Sequence, residues 1–213
     1  MAKHIFITAT NTGIGKTYTT LKLMHTFAAR GLKVGVVKPI ETGVEDAPED
    51  GTLLLQALKQ LNPNAWAMDI DDVVPVQMRL PAAPEVAKGD AAIDWDAIDR
   101  AVLAMDAHCD ICLIEGAGGL LVPVDEKTDI IDMIPRFSAK ALLVSHCELG
   151  CINDLRLSLE ALQHRGIPHE WVLNCRDGRE GFAKTSQAYF DRAMPQWRAL
   201  QKDIEQLCDA LLL

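Results

Sequence analysis

Short, nearly continuous apolar runs alternate with helical periodicities along most of this chain, and few folds accept that pattern. His4-Ile5-Phe6-Ile7-Thr8-Ala9, residues 33–40, Ile111-Cys112-Leu113-Ile114, Ala141-Leu142-Leu143-Val144 and Trp171-Val172-Leu173 each read as a strand. They lack the polar alternation of a half-exposed strand, so both faces of each are expected to be covered. Between them, Leu21, Leu23, Met24, Phe27 and Ala28 keep helical spacing until Gly31, and 53–61 is helical. Ile152, Leu155, Leu159 and Leu162 share one helical face that Gly166 and Pro168 close. Buried strands joined by helices make a mostly parallel sheet with helices on both faces, an α/β fold. With 213 residues and no repeat, low-complexity stretch or linker, residues 1–213 are expected to form one domain. The stretch 46–76, rich in Pro, Asp and Asn, gives no clear element, and the last twenty residues are expected to be helical.

Composition removes several function classes. A 49% hydrophobic and 24% charged chain is an ordinary globular balance, which excludes wholesale disorder. The formal charge of -9 disfavours bulk electrostatic binding to nucleic acid or anionic membranes. No apolar run approaches the ~18–20 residues of a membrane span, and Met1-Ala2-Lys3-His4 lacks a signal-peptide layout, so a cytoplasmic location is expected. Six cysteines are scattered, with Cys112, Cys147 and Cys175 in strongly apolar stretches, and are expected to be reduced thiols. Cys109-Asp110-Ile111-Cys112 has C-x-x-C spacing without a second pair, which disfavours a zinc ribbon. Asp69, Asp71 and Asp72 read as a solvated acidic face.

Four motifs carry chemistry. Thr8-Ala9-Thr10-Asn11-Thr12-Gly13-Ile14-Gly15-Lys16-Thr17 lies between the first strand and the first helix. Backbone N–H groups of such a loop bind phosphate oxygens, Lys16 offsets their charge, and the Thr17 hydroxyl can ligate Mg²⁺. The first glycine of the usual pattern falls at Thr10, so the bland reading is a glycine-containing turn before a helix. Lys38-Pro39-Ile40-Glu41-Thr42-Gly43 ends the second strand, where ligands of parallel sheets collect. Taken alone it is a solvated lysine before a turn. Ile114-Glu115-Gly116-Ala117-Gly118-Gly119 offers an acidic metal ligand and glycines that permit close backbone approach, against a plain glycine turn. Leu149-Gly150-Cys151-Ile152-Asn153 opens a helix whose N–H groups suit a carboxylate, unless Gly150 or Asn153 is merely a cap.

The set T-x-T-x-x-G-K-T, K-P-x-x-T-G, E-G-A-G-G and L-G-C-I-N, on successive elements between Ile5 and Asn174, resembles the dethiobiotin synthetase family. The resemblance implies a homodimer of P-loop α/β subunits. It also implies carboxylation of 7,8-diaminopelargonate with CO₂, phosphorylation of the carbamate by ATP or another nucleoside triphosphate with Mg²⁺, and closure of a ureido ring. By position it places the triphosphate on Asn11, Thr12, Gly13, Ile14, Gly15, Lys16 and Thr17, with Glu115 and Gly118 beside it and Asn174 reading the base. It gives the metal to Thr17, Glu115 and a third carboxylate that best matches Asp50, with Asp46 and Glu49 close by. Lys38 falls at the carbamate, with Thr42 and Thr12 near it. Gly150, Cys151, Ile152 and Asn153 hold the substrate carboxylate across the dimer, and Tyr189 adds a hydroxyl. The family often continues with an acidic-Ile-Pro segment that cradles adenine, whereas this chain ends in Gln196-Trp197-Arg198 and a Leu-rich helix.

The residues fit that chemistry in their own right. A carbamate attacking a γ-phosphate gathers negative charge, and two lysines with one divalent cation supply its counterpart. The alternative is a P-loop switch ATPase of the partitioning or septum-placement type. Those proteins carry a further lysine early in the loop, and Thr10-Asn11-Thr12 has none. A cobyrinate-type amidating synthase needs a glutaminase domain for which this chain is too short.

Overall fold

The computed structural model describes residues 2–176 and 179–213, apart from the side chain of Arg179. In chain order the elements are β1 (Lys3–Ala9), α1 (Lys16–Ala29), β2 (Val34–Val37), β3 (Ile40–Thr42), α2 (Glu49–Leu61), a 3₁₀ turn (Pro63–Ala65), α3 (Ile70–Val73), β4 (Val76–Met78) and α4 (Pro84–Ala87). There follow α5 (Trp95–Asp106), β5 (Ile111–Gly119), α6 (Ile130–Arg136), β6 (Lys140–His146), α7 (Cys151–His164), β7 (His169–Asn174), α8 (Arg179–Thr185), α9 (Gln187–Ala193) and α10 (Ile204–Leu212). Five strands form one sheet in the order β2-β5-β1-β6-β7, every neighbouring pair parallel. Consecutive buried residues such as Ile111–Ile114 and Ala141–Val144 require cover on both faces, and the helices provide it. One hydrophobic cluster joins Ile5 and Phe6 on the central strand to Leu207 and Leu211 on the last helix.

Several boundaries differ from the sequence expectation. The second strand stops at Val37, because the Lys38 N–H leaves the sheet to donate to Val73 O (2.7 Å) and Pro39 has no N–H to give. Ile40–Thr42 pairs instead with Val76–Met78 in a separate two-stranded parallel sheet. The helix read as 53–61 begins four residues earlier at Glu49, since the carboxylate of Glu41 accepts from the N–H groups of Asp50 (3.0 Å) and Gly51 (2.9 Å). Asp69 and Asp71 are exposed as expected, and Asp69 and Asp72 in addition form a reciprocal capping box on α3. The glycines after Glu115 continue the β5 ladder to Gly119 instead of turning away. Of the last twenty residues only Ile204–Leu212 is helical; Leu200 and Arg198 exchange backbone bonds with Leu173.

The cysteines require a further correction. Ser145 and His146 stand opposite Leu173 and Asn174 in the β6–β7 register, so the next residues along, Cys147 and Cys175, arrive side by side. Their Cα atoms lie 5.1 Å apart and the two are joined by a disulfide, against the expectation of reduced thiols.

Candidate active site

Parallel strands deliver all their carboxyl ends to one edge, and four of the motifs leave from there. After β1 the chain crosses under the start of α1, whose N-cap Gly15 has φ +94°. A Cβ at Gly15 would also lie 2.4 Å from Asn174 Nδ2, so a larger residue would be strained in conformation and would push the Asn174 amide aside. Lys16 is buried, 8% exposed, and its Nζ reaches back to Asn11 O (3.4 Å). Asn11 Oδ1 accepts from the Thr12 N–H, which closes the loop on itself.

Glu115 is the hub. It is fully buried midway along β5, where Oε1 accepts from Thr17 Oγ1 (2.8 Å) and Lys38 Nζ (2.8 Å), and Oε2 accepts from Thr20 Oγ1 (2.6 Å). Lys38 Nζ also meets Asp50 Oδ2 at 3.2 Å. Burial alone would depress the Lys38 ammonium, but Glu115 and Asp50 more than offset it and hold its pKa above the ordinary value. Lys16 goes the other way: burial first, then the neighbouring Lys38 charge, bring it down to about 8. Thr17, Glu115 and Asp50 offer oxygen donors only, the chemistry that a hard cation such as Mg²⁺ takes, and here Lys38 Nζ stands between the two carboxylates. Asp46, the other aspartate considered for the metal, is exposed; Glu49 and Asp50 both line the cavity.

That cavity holds about 630 Å³ between the phosphate loop, the Lys38–Gly43 segment, the start of α2 and the 81–84 turn. Thr12, Gly13, Gly15, Thr42 and Gly118 line it, together with both lysines. Glu41, buried and also facing it, was not singled out from the sequence; the only signal was an acidic residue inside K-P-x-x-T-G. Burial pushes the Glu41 carboxyl up, opposed by its bonds to Gly51 and Asp50. Thr20 was missed as well, although it stands one helical turn beyond Lys16 and three residues after Thr17.

Gly150, Cys151, Ile152, Asn153, Asn174 and Tyr189 stand outside this cavity. Gly150, with φ +104°, is the N-cap of α7, and no side chain caps that helix start. Asn153 turns instead to Asp154 (3.2 Å), so the bland reading of an Asn153 cap does not apply. Glu148 N–H donates to His146 Nδ1 (3.2 Å), which leaves Nε2 to donate to Asp154 Oδ2 (3.1 Å) and braces the turn. Cys151 is buried and hydrogen-bonded to Ser186, and Tyr189 stands one turn further on, its ring edge-on to Phe190. Asn174 touches the phosphate loop: Nδ2 donates to Ile14 O (2.9 Å), while Oδ1 accepts from Gln201 Nε2 (2.7 Å). Gln201 had no signal in the sequence.

The sequence profile described as an AAA domain matches residues 3–203. An ATP-dependent dethiobiotin synthetase of Sulfurovum sp. is 42% identical over 207 residues, covering 97% of this chain and 99% of the relative. That of Wolinella succinogenes is 38% identical, covering 99% of this chain and 98% of its own length. Among solved structures, the Aquifex aeolicus MinD cell division protein superposes with a TM-score of 0.53 at 20% identity, over 98% of this chain and 87% of that chain. A Borrelia burgdorferi plasmid partition protein gives 0.58 at 11% identity, over 99% and 96%. At such identities these two likenesses speak for the fold alone, whereas the two sequence relatives match over nearly the full length of both chains. The chain belongs to the ATP-dependent dethiobiotin synthetase family.

Proposed function

We propose that this chain is a cytoplasmic cyclo-ligase that carboxylates 7,8-diaminopelargonate with CO₂, phosphorylates the resulting carbamate with a nucleoside triphosphate, and closes the ureido ring. The observation that carries this reading is Lys38. A phosphate loop needs one lysine, and Lys16 supplies it; a second lysine, buried and held charged between Glu115 and Asp50 in the same cavity, suits a second anion beside the triphosphate. Lys16, Thr12, Gly13 and Gly15 bind the phosphates, with Asn11, Ile14 and Gly118 shaping the loop around them. Lys38 and Thr42 hold the carbamate. Thr17, Glu115 and Asp50 would hold Mg²⁺, which when bound draws charge from the β and γ phosphates.

In this scheme a carbamate oxygen attacks the γ-phosphorus and the diphosphate leaves with its bridging oxygen. The second amine, as its free base, then attacks the carbamoyl carbon, expels inorganic phosphate and loses one proton, keeping the other as the ureido N–H. Lys38 stays charged through both steps and balances the anion as it moves from carbamate to phosphate. Asn174, its amide held between Ile14 O and Gln201 Nε2, reads the nucleotide base, and the 150–153 helix start of one subunit holds the substrate carboxylate for its partner, with Tyr189 beside it. The test is phosphate release with and without diamine plus bicarbonate. Strong stimulation by both together is expected; a rate indifferent to the diamine would mark a switch ATPase instead.

A further inference from the structure

At the opposite, amino-terminal edge of the sheet the C-x-x-C motif acquires partners that the sequence hides. His4 of β1 and Cys112 of β5 are register neighbours, as are Cys112 and Gly35 of β2, so their side-chain positions lie in a row on one face. Gly35 has no side chain, and the space a Cβ would fill is occupied by Cys109 Sγ, 2.6 Å from that position. Asp106, the last residue of α5, completes the group: its carboxylate oxygen and the sulfurs of Cys109 and Cys112 all lie within 4.8 Å of one another. Cys109 and Cys112 are hydrogen-bonded to each other.

His4 holds the carboxylate in place. Its Nδ1 meets Phe137 O at 2.7 Å, and since a carbonyl only accepts, that nitrogen carries a proton. Its Nε2 meets Asp106 Oδ1 at 2.7 Å. A cavity of about 620 Å³ is lined by His4 and Asp106 together with Val102, Leu103 and Phe137, which opens the carboxylate end of the group, though neither cysteine, to a solute.

We infer that Asp106, Cys109 and Cys112 form a second metal site, for a thiophilic divalent cation such as zinc, with His4 as the positioning residue for Asp106. Two sulfurs and one carboxylate form a donor set that favours zinc or cobalt over Mg²⁺, so this site and the oxygen-only cluster at Glu115 select different ions. Binding releases the two thiol protons to solvent as the sulfurs become ligands. A further donor, water or a solute from the cavity, completes the coordination.

Cobalt(II) is the probe. Chelator-treated full-length protein, handled anaerobically with the Cys147–Cys175 bridge intact, is titrated with Co²⁺ and followed by absorption. One equivalent per chain should bring up a thiolate-to-cobalt charge-transfer band that zinc displaces. Cys109→Ser should abolish the band while leaving phosphate release unchanged. His4→Gln should keep the band but weaken cobalt binding roughly 10–100-fold. Should Cys109→Ser not fold, zinc protection of Cys109 from alkylation in the unaltered protein serves, with at least about tenfold slowing expected at saturation. No thiolate band at millimolar cobalt, a band that survives Cys109→Ser, or alkylation indifferent to zinc would each overturn the site. Recovery of Cys109 and Cys112 as a disulfide that forms in air and resists zinc would assign them to redox chemistry instead.

Discussion

Lys16 and Lys38 sit in the same buried crevice, yet their surroundings act on them in opposite senses. Lys38 has two carboxylates beside it; Lys16 has Lys38. The Lys16 pKa of about 8 in the fold lies below its ordinary 10.5, so its charge opposes folding at all pH below about 8, and that cost fades as pH rises from about 8 to about 10.5. Lys16→Met should therefore stabilise the nucleotide-free protein at pH 7 by up to about 3 kcal/mol, read by chemical denaturation, while cutting turnover by roughly 10³-fold or more. A triphosphate restores the charge, so nucleotide binding above pH 8 should take up protons and weaken with rising pH. Titration calorimetry in buffers of different ionisation enthalpy measures this; binding without proton uptake at pH 9 would contradict it. Lys38→Met removes the positive partner of a buried carboxylate and should cost about 3–5 kcal/mol of stability. Its rate at saturation should fall far more than its nucleotide affinity, and the reverse pattern would remove Lys38 from the carbamate.

At the scale of elements, the start of α2 decides where Asp50 stands. Glu41, on a different strand, caps that helix start, and Gly51 is the only residue type that fits there, since a Cβ would lie 2.2 Å from Val74 Cγ2. Gly51→Ala should therefore displace the first turn and raise the magnesium concentration needed for half-maximal turnover severalfold, with little change in the phosphate loop itself. Glu41→Gln keeps the shape but turns an amide N–H₂ toward donors. It should lower stability by about 1–3 kcal/mol and shift magnesium dependence in the same direction, and unchanged magnesium dependence in both variants would detach α2 from the metal cluster. The same element shows why the sequence was legible in some places and not in others. The phosphate loop, Lys38 and Glu115 could be read because each closes a run of apolar residues, and burial on both faces leaves a strong local pattern. Residues 46–76 could not, because α2 takes its cap from Glu41 and β4 takes its partner from β3, both supplied by distant chain. α5 is a different matter: Ile98, Ala101, Val102 and Met105 form a plain helical stripe that was there to be read. The Cys147–Cys175 pair was hidden by 28 residues of separation and became visible only through the β6–β7 register.

For the whole molecule, the sheet explains how separate motifs become one site, because all its strands are parallel and their carboxyl ends share an edge. Both lysines, Glu41, Glu49 and Asp50 line the cavity but residues 150–153 and Tyr189 do not, so the proposed substrate contacts of that helix start require a partner subunit. Asn153 is exposed whereas Cys151 is buried against Ser186, so Asn153→Trp is the better block at that helix start. Mixing Lys16→Met subunits with Asn153→Trp subunits should restore activity, since about half of randomly formed dimers are mixed and each carries one intact site, roughly a quarter of the unaltered activity overall. Verified mixed dimers without recovery would confine each site to one subunit. The central claim is that the phosphate acceptor gathered at Lys38 is a carbamate made from CO₂. It is tested most directly by a single turnover with ¹⁸O-labelled CO₂ and diamine, faster than CO₂ exchanges with water, followed by mass analysis of the released phosphate. One labelled oxygen per phosphate is the predicted result, because the carbamate oxygen that attacks phosphorus departs with it; unlabelled phosphate would mean that water, not a carbamate, had been the acceptor.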